Sequence, residues 1–208
     1  MIILTYSVKN MKPLPLILCG LLLILSCTKL NELPERVVFL GDSQVRNWDV
    51  DYWFPFSFNI NKGVAGYTVP DLIEHLSGSI ISEKKIVLIG INDIIHLSQF
   101  LEGQEVVDSV LNSFQVLTVY LASNDLVLSI CPVSEKFCNS TSPDLNGLIS
   151  QVNAKLALIC SKKSIRFVDV FYPLSNGTSL SEDFTQDGLH LNYKGYEIIS
   201  KTLRQDLL

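Results

Sequence analysis

Three residues have the types and spacing for acyl transfer: Ser43, which closes the tripeptide Gly41-Asp42-Ser43, and the pair Asp187 and His190, three residues apart. A serine hydroxyl is a weak nucleophile near neutral pH, so it needs a base that titrates close to the working pH and a partner that orients that base. His190 and Asp187 are of those two types. In a tight turn the carboxylate at position 187 reaches back to Nδ1 of the imidazole, which leaves Nε2 to face Ser43. The plain alternatives are a strand-to-helix turn with a serine cap at 43 and a surface turn at 187–190. His75 and His96 have no acid placed to orient them and are assigned to ordinary structural roles.

The elements that must position these groups are legible from hydropathy. The stretch from Arg36 carries a continuous apolar run, Val37–Leu40, stopped by Gly41, the pattern of a strand buried on both faces of a parallel sheet, with Ser43 just past its carboxyl end. Ligands of open α/β sheets bind outside the carboxyl ends of the strands. Further strands are predicted at Phe58–Val64, Lys85–Ile89, Leu126–Ile130 and Ile165–Val170. Between them, Thr68, Pro70 and Asp71 open a helix running to about Ser77. Val107, Val110, Leu111, Phe114, Leu117 and Leu121 form the buried stripe of a helix over 104–121. Ile149, Val152, Leu156 and Ile159 mark the next, and a last helix spans Tyr193–Leu207. The alternation gives an α/β/α domain of three layers around a five-stranded parallel sheet of flavodoxin-like order. The aromatic segment from Trp48 to Phe56 is expected mainly to cover the sheet, with one or two rings reaching the site. The stretch from Cys131 to Asn146, rich in Ser, Asn and Pro, is expected to be a loop walling the site.

The 208 residues carry a net charge of -5 with 18% charged residues, enough for one core, and no basic cluster exceeds the pair Lys162-Lys163. Nucleic acid is therefore excluded as a partner. The amino terminus differs from the rest. Lys9 and Lys12 precede an apolar run, Leu14–Leu25, too short to span a membrane but suited to an export signal, with Met11 as an alternative start. That run ends Ile24-Leu25-Ser26-Cys27, similar to the lipobox of bacterial lipoproteins. The expected division is a signal peptide over 1–26, a tether over 27–35 lipidated at Cys27, and a catalytic body over 36–208. The expected location is the bacterial cell envelope, with secretion or the periplasm as the alternative. No cysteine pair has metal-ligand spacing. Cys131 and Cys138 flank a stretch that a disulfide would close in an exported body, although three buried thiols would read the same.

Four short blocks, in order, make the chain resemble the SGNH hydrolase superfamily, the GDSL esterases and lipases: Gly41-Asp42-Ser43, Asn61 to Thr68, Gly90-Ile91-Asn92-Asp93, and Asp187-Gly188-Leu189-His190. The resemblance covers nearly the whole body. It implies a serine esterase in which Ser43, His190 and Asp187 are catalytic. The oxyanion hole would comprise the backbone N–H groups of Ser43 and Gly66 and the side-chain amide of Asn92. It implies a small-molecule or carbohydrate ester as substrate, with neither metal nor organic cofactor. Gln44 stands where the family name expects leucine. Two alternatives of other kinds are a ligand-binding lipoprotein without turnover and a lipase acting on longer acyl chains. The anchor has its own test. Cys27→Ser is expected to move the protein from the membrane fraction to the soluble one, and wild-type protein found soluble would remove the anchor.

Overall fold

In the computed structural model, residues 36–76, 83–138 and 144–207 are described, and all belong to one unit, Glu35–Leu208. The expected signal, tether and lipidated Cys27 lie outside them, as does the predicted helix end at Ser77. The sheet order is β2-β1-β3-β4-β5 and every pairing is parallel. The strands are β1 (Arg36–Gly41), β2 (Phe58–Gly63), β3 (Lys84–Leu88), β4 (Leu126–Leu128) and β5 (Arg166–Val168). This is the flavodoxin-like order, in which the chain direction across the sheet reverses beside β1.

Alternation along the strands sends side chains to two separate cores. Val38, Leu40, Val87 and Val127 face one layer, made by α3 (Val69–Glu74), α4 (Ile91–Leu97), α5 (Gln104–Leu117) and α7 (Leu145–Lys162). Val37, Phe39, Ile86, Leu88, Leu126 and Leu128 face the other, which takes α2 (Val50–Trp53), α8 (Phe171–Leu174) and α9 (Tyr193–Leu207). Burial on both faces is why the central strands read as unbroken apolar runs. β2, at an edge, is only partly covered and carries Asn59, Asn61 and Lys62.

The aromatic segment belongs mostly to the second core. Trp48 is 2% exposed and meets Phe39 edge-on at 5.4 Å between ring centroids, with Phe54 at 5.8 Å and Tyr196 at 6.1 Å. Its indole N–H donates to Ser200 Oγ at 3.0 Å. Through this one ring the last helix is packed against the first strand. Tyr52 and Phe56 are exposed.

The strands are shorter than expected at their carboxyl ends, because β4 and β5 hand over to loops that bond to side chains. Ser129 N–H still donates to Val168 O, while Asn153 takes both the N–H and the C=O of Ile130. Five short helices carry no periodic signal of their own: α1 (Ser43–Arg46), α2, α4, α6 (Glu135–Cys138) and α8. Most have four residues, one turn, too few for a stripe to form. α6 lies within the predicted 131–146 loop, and Asn146 is already helical in α7. The polar stretch after Tyr172 is organised by a 3₁₀ turn, Glu182–Phe184, and by the bridges Ser175 to Leu180 and Thr185 to Leu191. Of the two readings open for Cys131 and Cys138, the structure has thiols and no disulfide, with Cys131 buried and Cys138 receiving a bond from Asn146 Nδ2 at 3.6 Å. Cys160 is buried on α7 as expected. Among the described residues no helix is long and apolar enough to cross a membrane.

At the amino-terminal edge of the sheet Lys85 and Asp125 form an ion pair of 2.9 Å, with 1% and 0% side-chain exposure. Asp125 also accepts from the backbone N–H of Lys85 and Ala122, both at 2.7 Å. Removing one partner of a buried pair leaves the other charge stranded at a cost of about 3–5 kcal/mol. Asp125→Ala is therefore expected to lower the unfolding free energy by about that amount in urea titration. A change below 1 kcal/mol would mean that water replaces the carboxylate.

Candidate active site

The site is assembled at the carboxyl edge from three neighbouring strands and the last connection. Ser43 is the first residue of α1, immediately after β1, where a helix leaves its amide N–H without an intrahelical partner. The N-cap is Asp42, whose Oδ1 accepts from Gln44 N–H at 2.9 Å. Ser43 itself is half-buried. From the other end of the domain, His190 Nε2 lies 3.0 Å from Ser43 Oγ. His190 Nδ1 lies 2.7 Å from Asp187 Oδ2.

The loop 185–191 is shaped around the Asp187 carboxylate. Its Oδ1 accepts from Leu189 N–H at 3.0 Å and from His190 N–H at 2.7 Å, so the same side chain folds the turn and meets the ring. Thr185 Oγ1 donates to His190 O at 2.7 Å and accepts from Gly188 N–H at 2.8 Å. Only glycine suits position 188: its φ is +91°, and an added Cβ would sit 2.6 Å from Ser134 Oγ. That contact is where the 131–138 segment walls the loop, with Ser134 N–H donating to Gly188 O at 2.8 Å.

The second and third blocks sit beside β1 on its two neighbours. Gly66, in the exposed turn after β2, presents a face on which an added Cβ meets nothing within 4 Å. Asn92, in the first turn of α4 after β3, donates from Nδ2 to Tyr67 O at 3.0 Å, which ties the β3 loop to the residue following Gly66. An amide NH₂ carries two donors, so one remains after that bond. The Ser43, His190 and Asp187 side chains are thus joined by hydrogen bonds, while Gly66 and Asn92 are joined to one another through Tyr67. Among the described residues no group of three or more His, Cys, Asp or Glu side chains forms a metal site.

A model of the GDSL-like lipase/acylhydrolase family matches residues 39–198, from the middle of β1 to the middle of α9. The chain belongs to the GDSL-like lipase/acylhydrolase family. It is a carboxylic ester hydrolase. Solved structures resemble this acylhydrolase over most of its length. One from Streptococcus pneumonia, provisionally described as a platelet activating factor, is 27% identical with a TM-score of 0.70, covering 92% of this chain and 99% of that one. A GDSL-like lipase from Bacteroides thetaiotaomicron is 19% identical (TM-score 0.68; 83% and 87% covered). An acetylxylan esterase from Geobacillus stearothermophilus is 17% identical (TM-score 0.64; 83% and 94% covered). These last two share the fold. No curated protein matches.

Several residues that organise this acylhydrolase site were given no role from the sequence, Asp93 among them although it closes the third block. Asp93, 4% exposed, accepts the Val69 N–H on both oxygens, at 3.1 and 3.0 Å, and so holds the start of α3 against α4. Thr185 and Ser134 shape the His190 loop as described. Each bond connects residues of different loops or lies within a turn of no regular period, so spacing carries no trace of it.

The three aspartates of the site sit in two kinds of electrostatic environment. Burial pushes Asp42 up from 3.8 to about 7, opposed in part by the Gln44 N–H and by His190. Burial likewise pushes Asp93 up to about 7 against the Val69 N–H. At Asp187 burial pushes the same way, but the bonds from His190 and Leu189 outweigh it and hold the carboxyl below the ordinary value. The signs differ accordingly. Between about pH 4 and 7 the folded protein keeps protons on Asp42 and Asp93 that the unfolded chain has released, so these groups favour folding less as pH rises. Asp187 contributes above the ordinary carboxylate range and loses that contribution as pH falls through its lowered value. Asp93→Asn keeps an acceptor for Val69 N–H and carries no charge. Its Tm is expected to exceed that of the wild type at pH 8, with a smaller gap at pH 5, by differential scanning fluorimetry; an equal gap at both would overturn the assignment.

Proposed function

We propose that the chain is a serine esterase that hydrolyses short, acetyl-type esters of polar alcohols, carbohydrates among them. Ser43 is the nucleophile, His190 the general base and acid, and Asp187 the orienting carboxylate. The observation that carries this reading is the continuous contact from Asp187 Oδ2 through the imidazole to Ser43 Oγ, at 2.7 and 3.0 Å. Ser43 Oγ bonds to the ester carbonyl carbon as its proton passes to His190 Nε2, and the imidazolium is stabilised by Asp187. The tetrahedral intermediate collapses, and its alkoxide leaves with the proton from His190. Water, deprotonated by the same nitrogen, then releases the acid and restores Ser43. The oxyanion is received by the N–H groups of Ser43 and Gly66 and by the second amide hydrogen of Asn92, donors of the kind that supply much of the acceleration in acyl transfer.

Two features support a short acyl group on a polar alcohol. Trp48 and Phe54, two rings able to line an acyl groove, are packed in the core, and a long chain gains about 0.8 kcal/mol per methylene only where such a groove exists. Beside the His190 loop lies a cavity of about 590 Å³ in whose lining the rings of Tyr52, Trp53 and Tyr193 are edged by the amides of Asn47, Gln186 and Asn192. That chemistry suits a hydroxylated ring. The acetylxylan esterase of like fold is a precedent for such a substrate. We also infer export and lipid attachment at Cys27 in a bacterial envelope, a reading supported by Lys9, Lys12, the Leu14–Leu25 run and the lipobox.

Ser43→Ala is expected to abolish both turnover and labelling by a fluorophosphonate, and labelling retained at another serine would overturn the nucleophile. Asn92→Ala is expected to lower kcat by about 10²–10³ with little change in KM. Across p-nitrophenyl esters, kcat/KM is expected to fall from acetate to octanoate, and a maximum at eight carbons would mark a lipase instead.

A further inference from the structure

We propose that Gln44, the residue following the nucleophile, is a positioning residue that sets the base as well: its side-chain amide holds the backbone on both sides of His190. The inference rests on the catalytic reading of Ser43 and His190 above.

Gln44 is 2% exposed. Its Nε2 donates to Leu189 O at 2.7 Å, and its Oε1 accepts from Leu191 N–H at 3.3 Å. The carbonyl before His190 and the N–H after it are the two groups that a neighbouring parallel strand would engage when paired with residue 190. A single side chain therefore replaces a strand at the point where the last connection meets the sheet edge. The orientation of the amide follows from its partners, since a carbonyl requires a donor and an N–H an acceptor. The residue is fixed at its own backbone too, with its N–H on Asp42 Oδ1 at 2.9 Å and its C=O receiving Tyr196 Oη–H at 2.8 Å.

The need for such a clamp follows from the separation in the chain. Ser43 and His190 lie 147 residues apart, and the bond between their side chains leaves the loop free to pivot about it. His190 O is already held from within the loop by Thr185 Oγ1 and by Gln186 N–H at 3.1 Å. What those bonds lack is any reference to the nucleophile. Gln44 supplies it, because it sits one peptide bond from Ser43 in the same turn of α1. Leucine, the residue of the family name, offers neither donor nor acceptor here, so both bonds depend on the amide of glutamine at this position.

The test is Gln44→Met, which keeps the length and apolar stem but removes both bonds, alongside the wild type. Time courses of fluorophosphonate labelling and steady-state hydrolysis of p-nitrophenyl acetate are measured, and labelling stoichiometry counts the folded sites. The variant is expected to reach the wild-type stoichiometry at a rate about 10- to 100-fold lower, the range that follows when a catalytic group is misplaced by up to about 1 Å. Its kcat should fall in parallel while KM stays within about twofold. Labelling at the wild-type rate would overturn the proposal. So would a reduced stoichiometry with the remaining sites reacting at the wild-type rate, because Gln44 would then hold the fold and not the base. Should Gln44→Met yield no folded protein, Gln44→Glu, which keeps the shape and the acceptor but loses the donor to Leu189 O, is judged by the same rate. Failure of the underlying catalytic reading is separate: there the wild type itself would not label at Ser43.

Discussion

The close approach of β1 to β3 is the constraint on which the rest of the structure depends. At Gly41 the two strands come so near that an added Cβ would lie 1.9 Å from Leu88 O and 2.5 Å from Val45 Cγ2. With no side chain at 41, α1 folds down directly over the end of β1, and Ser43 emerges between the turn carrying Gly66 and the helix carrying Asn92. Any larger residue would push α1 outward and carry the hydroxyl with it. Tight apolar packing behind the edge, with Val38, Phe39, Leu40, Val87 and Leu88 each 2% exposed or less, makes that spacing hard to deform.

Onto this rigid edge the protein places carboxylates at a cost. Asp42 and Asp93 are buried, and burial disfavours their charge, yet each holds a backbone N–H that would otherwise be left without a partner at the start of a helix. Asp187, half-exposed, has the opposite arrangement: water and several donors keep it charged. The acid facing the imidazole is thus the one whose surroundings favour the anion, while the two behind the loops act as connectors. Similar residues at a common edge divide into roles by burial and by hydrogen bonding.

Much of the architecture was legible in the sequence because the buried strands obey a simple rule. Val37–Leu40 and Ile86–Leu88 could only be central strands of a parallel sheet, and Thr68 with Asp71 forms the reciprocal cap that its spacing implies, Thr68 N–H donating to Asp71 Oδ2 at 2.9 Å. Ser43, Asp187 and His190 were singled out because acyl transfer restricts the residue types that can serve, and the structure joins their side chains in one line of hydrogen bonds. What escaped has a common cause. The one-turn helices α1, α2, α6 and α8 are shorter than any period. The bonds of Gln44 to the His190 loop span about 145 residues and involve backbone atoms that every residue possesses. Cys131 and Cys138 had a spacing that a disulfide would suit, but Cys131 turns into the core, where burial pushes its thiol far above the ordinary range. Spacing records what is repeated; it does not record where a loop is fastened.

The position of β1 has a consequence for how the molecule is made. Ser43 opens the turn that follows β1, the first strand among the described residues, and His190 lies in the last connection, 147 residues later. At ordinary rates of synthesis, the interval between them is on the order of ten seconds. Throughout that interval the nascent chain holds Ser43 without the imidazole its hydroxyl meets in the folded structure, and α9, whose Ser200 and Tyr196 bind Trp48 and Gln44, has yet to close the second core. The contact between Ser43 and His190 therefore waits on the last connection of the chain. A chain cut before His190 lacks that contact altogether.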